Sequence, residues 1–195
     1  MAATAPTPRI EPLPREAWDN VLTRVLEGSS GGTDEPMHIF TTLARAPGDL
    51  FRRWLGFGGA LLGGTLPARL RELVILRTAY RFDGRYEWAQ HISLAERAGV
   101  SRQEVTALGG DLGTADWSPF ERAALDAVDE TADEGAVSDA TWSVLAATLS
   151  EGELIELLML IAHYLMLTTV LRSLRVPLEP RAEVVASSVP TGPGA

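Results

Sequence analysis

The 195-residue chain contains no cysteine. Disulfide bonds, thiolate nucleophiles, thiol redox cycling and cysteine-held metal sites are therefore excluded within it. Lysine is also missing, since all 17 residues of the Lys+Arg count are arginine. A chain without lysine cannot form an internal Schiff base with a carbonyl substrate or with pyridoxal phosphate, so a carbanion generated here needs another electron sink. Positive charge is scarce: 26 acidic residues leave a formal net charge of -9. Binding a phosphate backbone needs a concentrated cationic face, so no nucleic-acid partner is expected, although a few local arginines suffice for a small anionic substrate. The most apolar run, "LIELLMLIAHYLMLTTVL" at 154–171, contains Glu156 and His163 and falls short of the ~20 apolar residues of a membrane span. It reads as a buried helix, with no membrane partner. The first residues, "MAATAPTPRIEPLPRE", lack an apolar core behind a basic patch, so they do not read as a secretory signal and a cytoplasmic location is expected.

What remains is rich in helix signals. With 46% hydrophobic residues the chain can bury one good core, and a single domain is expected over 14–180, between an extended arm at 1–13 and a disordered tail at 181–195. "PREAWDNVLTRVLEG" opens on proline and closes at Gly28, which predicts a helix, and "SSGGTDE" a loop. Short helices are expected at 36–46 and 48–62. Pro67 then opens "ARLRELVILRTAYRF", apolar on several sides and hence enclosed. Asp83-Gly84 predicts a turn into "RYEWAQHISLAERAG", Gly99 closes that helix, and Ser101 caps "RQEVTAL". Further helices are expected at 118–134, 138–149 and 151–174, with no alternating strand pattern in competition. The fold class is an all-α helical bundle. A final helix apolar nearly all round points to a homo-oligomer, because one protomer has limited interior in which to hide it.

Candidate chemistry centres on "DGRYEWAQH" at 83–91. Glu87 and His91 stand at i and i+4, neighbours on one helix face, so one can hold the other's proton. Such a pair by itself is equally a solvated ion pair worth a few tenths of a kcal/mol. Glu72 lies among buried residue types on the preceding helix, and a buried carboxylate is costly without a partner, for which His91 or an arginine is the natural choice. Trp88, Tyr86 and Tyr80 are candidates for the walls of a pocket. Arginines 69, 71, 77, 81 and 85 cluster before the histidine; Arg85, by proximity, is the candidate clamp for a substrate carboxylate. His163 and Tyr164 could face the same cavity or serve as hydrogen-bonded core groups. The Glu-x-x-x-His spacing is not the Glu-x-x-His of ferritin-like carboxylate sites and no second copy follows, so no metal is expected.

With "RELVILR…YEWAQH…A…GVS" at its densest, the chain resembles the carboxymuconolactone decarboxylase and alkylhydroperoxidase D-like superfamily from "PRIEPLP" to "ELLMLIAHYLMLTTVLRSLRVPLEP". The resemblance implies, in the peroxidase branch, a glutamate at Glu72, cysteines at Gly84 and Glu87, and a histidine at His91. Both sulfurs are absent here, so the thiol peroxidase reaction does not carry over. What remains looks like the decarboxylase branch, which implies a ring-shaped assembly such as a trimer or hexamer and no cofactor. On that resemblance His91 is expected as general acid/base, Glu87 as its partner or proton shuttle, and Glu72 as orienter or second acid, acting on a small carboxylic acid or lactone. A proton-transfer isomerase or cyclase, or a non-catalytic helical binding scaffold, are the alternatives.

Overall fold

Helix starts set the architecture. The computed structural model describes residues 7–29 and 36–182. Within them run α1 (Asn20–Ser29), α2 (His38–Leu43), α3 (Leu50–Leu62), α4 (Ala68–Arg81), α5 (Arg85–Arg97), α6 (Arg102–Leu108), α7 (Pro119–Glu134), α8 (Asp139–Ala146) and α9 (Glu151–Leu174). No strand occurs among the described residues, and the all-α expectation holds. Three helices open on complete capping boxes, Ser101 with Glu104, Ser118 with Glu121, and Ser150 with Glu153. In each, the serine hydroxyl accepts from the third amide while the glutamate accepts from the serine amide, so two otherwise orphaned donors are satisfied.

The first expected helix is divided. Residues Arg15–Ala17 form a single 3-10 turn, and α1 begins only at Asn20. Asp19 explains the break, because its Oδ1 accepts from the amides of Val21 at 2.9 Å and Leu22 at 2.8 Å, a stronger start signal than Pro14. The chain also packs further than the expected boundary at 180: Ala182 is buried against Ala89. The expected tail beyond it, the first six residues of the arm and most of the "SSGGTDE" loop lie outside the described residues.

α4 is the hub, packing against α5, α6, α7 and α9. Leu73, Val74, Ile75, Leu76 and Thr78 are entirely enclosed, which accounts for apolar residues on several of its faces. Three of its arginines tie helices together. Arg69 bridges Glu104 and Glu121. Buried Arg77 makes a two-pronged bond to Asp129, at 2.7 and 2.6 Å, and donates to the carbonyls of Leu108 and Gly110. Arg81 pairs with Asp129 and Asp133.

By length and composition α9 could cross a membrane, yet half of its apolar window is buried inside the protein. Glu156, which interrupts its apolar run, accepts from the amides of Thr65 and Leu66 and from the Thr65 hydroxyl, so it fastens the loop before α4 to α9. Ile155, Met159 and Met166 remain exposed along one side of α9.

Replacing Arg77 by alanine leaves two carbonyls and part of a carboxylate without their donor. Chemical denaturation is expected to show a loss of about 3 kcal/mol; a loss below about 1 kcal/mol would mean that this arginine is not the tie between α4 and α7.

Candidate active site

α5 enters from the Asp83-Gly84 turn, where Asp83 takes a positive φ of 56° and the Gly84 amide donates to Ala79 O at 2.6 Å. This tight connection lays α5 back along α4 and brings Glu72 beside His91. Glu72 Oε2 lies 2.8 Å from His91 Nδ1, and His91 Nε2 lies 3.1 Å from the Tyr164 hydroxyl. A carboxylate oxygen only accepts, so the contact calls for the proton on Nδ1, and in that tautomer Nε2 accepts from Tyr164. All three residues are buried. Burial, reinforced by the negative charges of Glu72 and Glu87, pushes the Tyr164 hydroxyl well above the usual phenol range, which keeps it a donor. Arg71 lies 3.8 Å from the other oxygen of Glu72, with its Nε making no hydrogen bond.

His91 and Tyr164 form part of the wall of a cavity of about 470 Å³. Glu72 stands behind His91 and does not reach the cavity. The remaining wall is mostly apolar and aromatic, with Ile39, Phe40, Trp54, Leu55 and Leu167, while Gln90, Arg97 and His163 add polar groups. This is the usual composition of a small-molecule site.

Glu87 is not the partner expected for His91. Both nitrogens of that ring are engaged elsewhere, and neither carboxyl oxygen of Glu87 makes a hydrogen bond. Its carboxyl turns back toward the start of α5: a methyl group added to Gly84 would fall 2.8 Å from Glu87 Oε2 and 2.6 Å from Thr168 Oγ1. Glycine at 84 therefore vacates the space that the acid from position 87 occupies. Burial pushes this carboxyl up to about 7, partly opposed by its own backbone amide, by the neighbouring Thr168 hydroxyl and by the charge of Arg172.

Of the expected pocket residues, Tyr86 and His163 line the cavity, and Trp88, Tyr80 and Arg85 do not. Trp88 is 2% exposed and fills a second core between α4, α5 and α7, because its position on α5 turns it away from α9. Tyr80 packs against that same core under Arg77. Arg85, at the first position of α5, is exposed to solvent. The arginine that does reach the cavity is Arg97, at the far end of the same helix. Its signal was present as helical spacing, since 87, 90, 91, 94 and 97 lie on one face. Trp54 carries no comparable signal, because its position depends on how α3 folds over α9. Among the described residues no group of three or more His, Asp or Glu side chains is placed to hold a metal ion.

The all-helical fold is of the alkylhydroperoxidase D-like type. The model of the Carboxymuconolactone decarboxylase family matches residues 48–130, the stretch from the start of α3 into α7. That match and the fold fit the carboxymuconolactone decarboxylase/alkylhydroperoxidase D-like superfamily. Among solved structures, it is similar to a peroxidase-related protein with an alkylhydroperoxidase AhpD core from Ralstonia eutropha JMP134, at 18% identity and a TM-score of 0.79, covering 95% of this chain and 99% of that one. It is also similar to the debrominase Bmp8, as a variant in complex with 2,3,4-tribromopyrrole, at 20% identity and a TM-score of 0.74, covering 91% of this chain and 95% of that one. A putative antioxidant defence protein AhpD from Agrobacterium tumefaciens matches at 19% identity and a TM-score of 0.63, over 70% of this chain and 94% of that one. These likenesses are of fold. No curated protein matches the sequence.

The raised carboxyl of Glu87 has a consequence for stability. The folded state holds this proton up to about pH 7, whereas an ordinary glutamate loses it near 4.5, so stability falls as pH rises between those values and stays lower above them. Glu87→Gln removes this penalty. Urea unfolding is expected to show the variant matching the parent at pH 4.5 and exceeding it by about 3 kcal/mol at pH 8; parallel profiles would mean that the acid is not held in its neutral form by burial.

Proposed function

We propose that this chain is a cofactor-independent acid/base enzyme, a decarboxylase-like lyase acting on a small carboxylic acid or lactone. The observation that carries this reading is the Glu72–His91–Tyr164 chain, buried behind and opening onto a single cavity. Glu72 fixes the tautomer of His91 and stabilises the imidazolium that forms when Nε2 takes a proton. Tyr164 occupies Nε2 in the resting protein, so a substrate either displaces the hydroxyl or exchanges its proton through it. Loss of carbon dioxide is feasible without lysine or a bound cofactor when the substrate itself delocalises the electrons into a conjugated carbonyl. The protein then supplies orientation, a hydrogen bond to the developing enolate oxygen, and a proton at carbon.

The same arrangement serves proton transfer without carbon loss, which keeps an isomerase as the second reading. Glu87 supports either, because a buried acid titrating near neutrality can exchange protons at working pH. We assign it as a neutral reserve of protons beside the chain, separate from the partner of His91. A homo-oligomer, a trimer or hexamer in the cytoplasm, belongs to this proposal; the exposed Ile155, Met159 and Met166 of α9 are the surface that such an assembly would cover.

Incubation with carboxymuconolactone-like acids, followed by carbon dioxide release, absorbance and deuterium uptake into recovered substrate, separates the readings. His91→Ala is expected to lower turnover by at least ~10²-fold with the fold intact, and Glu72→Gln to lower it by a comparable factor through the wrong tautomer. Deuterium uptake without carbon loss would move the assignment to an isomerase, and unchanged turnover in His91→Ala would remove the histidine from the mechanism.

A further inference from the structure

The acid–imidazole–phenol chain uses one part of the cavity and leaves the polar groups of the rest without a role. His163 is 5% exposed and its Nδ1 has no hydrogen-bond partner. Burial lowers its pKa below the ordinary histidine value, so the ring is neutral and offers one donor and one acceptor. Trp54, whose Nε1 is likewise unpartnered, stacks on it with ring centroids 6.4 Å apart and an interplanar angle of 18°. Phe57 meets the same imidazole edge-on at 5.2 Å. Gly58 leaves His163 Nε2 uncovered: a methyl group there would sit 3.4 Å from that nitrogen. A native fold rarely leaves buried polar atoms unsatisfied without a reason. Of these nitrogens, His163 Nε2 is the one left open at Gly58, and beside the stacked rings it matches a flat ligand carrying a polar atom at its edge.

The second feature is Arg97. It is exposed at the rim, lines the cavity, and makes no ion pair or side-chain hydrogen bond among the described residues. The adjacent Glu96 faces Arg102 instead, at 3.9 Å. Glu87, Gln90, His91, Leu94 and Arg97 all line the cavity from one face of α5. At about 1.5 Å of rise per residue, His91 and Arg97 stand about 9 Å apart along the helix, roughly the span of a six-membered ring with its substituents.

We infer that the cavity selects a flat conjugated ring acid, its carboxylate held at the rim by Arg97 and its ring lodged against Trp54 and His163. The far edge of that ring then meets His91 and Tyr164, a placement that rests on the acid/base reading above. The carboxylate at Arg97 is a handle and not the group that reacts, because it lies a helix turn and a half from the imidazole. Arg97 is a specificity residue in this scheme, and His163 a binding residue for the ring.

Calorimetric titration with benzoate, its neutral analogue benzamide, and the saturated cyclohexanecarboxylate tests the assignment on the full chain. Benzoate is expected to bind at least about tenfold more tightly than either analogue. Arg97→Gln should remove the preference for benzoate over benzamide while leaving benzamide binding unchanged. Gly58→Ala covers His163 Nε2 and should weaken both aromatic ligands. Its fold should be at least as stable as the parent's, since alanine is the better helix former. Turnover is read separately: unchanged turnover in His91→Ala with the Arg97-dependent preference intact would fail the mechanism alone, and lost turnover in His91→Ala with no such preference would fail the ligand assignment alone. Equal affinity for benzoate and benzamide, an Arg97→Gln variant that keeps the preference, or no binding of any of the three would overturn the inference.

Discussion

The hydrogen bond between Glu72 and His91 is the constraint on which the rest of the site depends. It joins two helices, α4 and α5, in a place from which water is excluded, and there an unpaired carboxylate would be costly. Because the acid is answered by the imidazole Nδ1, the ring cannot turn, and its Nε2 is directed at α9. Tyr164 on that helix completes the chain. The two-pronged Arg77–Asp129 bond seats α4 against α7, and Glu156 fastens the loop before α4 to α9. The chemistry is thus a property of helix packing more than of any local motif.

Positions 84 and 87 are coupled through space. A side chain at 84 would collide with the carboxyl of Glu87 as it stands, and glycine there gives it room beside Thr168. The resulting carboxyl has neither a cation in contact nor a hydrogen bond, and its neutral form is favoured near pH 7. Where the resemblance places two sulfurs, this chain holds a glycine and a buried acid.

Helix existence and type were readable from the sequence because the signals are local: serine–glutamate caps, glycine closures and 3.6-residue periodicity act within one turn. Where local signals competed, as with Pro14 against Asp19, the residue whose side chain binds the free amides decided the boundary. The Glu72–His91 contact was reachable by asking which group could answer a buried acid. At Glu87, i,i+4 spacing brings side chains near each other without fixing their direction, and the Gly84 vacancy draws this one away from His91. Trp88 and Arg85 point elsewhere for a similar reason, since the face that a residue shows on α5 depends on which helix lies against it. Arg97 and Trp54 required the packing of α3, α5 and α9 to be known.

The most direct test is the protonation of the two nitrogens of His91, read by nitrogen NMR on protein labelled in its three histidines and assigned with His38 and His163 variants. With the ring neutral, the account predicts a single tautomer, protonated at Nδ1 toward Glu72 and bare at Nε2 toward Tyr164, and loss of that preference in Glu72→Gln. A ring protonated at Nε2, or one averaging between tautomers in the parent protein, would contradict it.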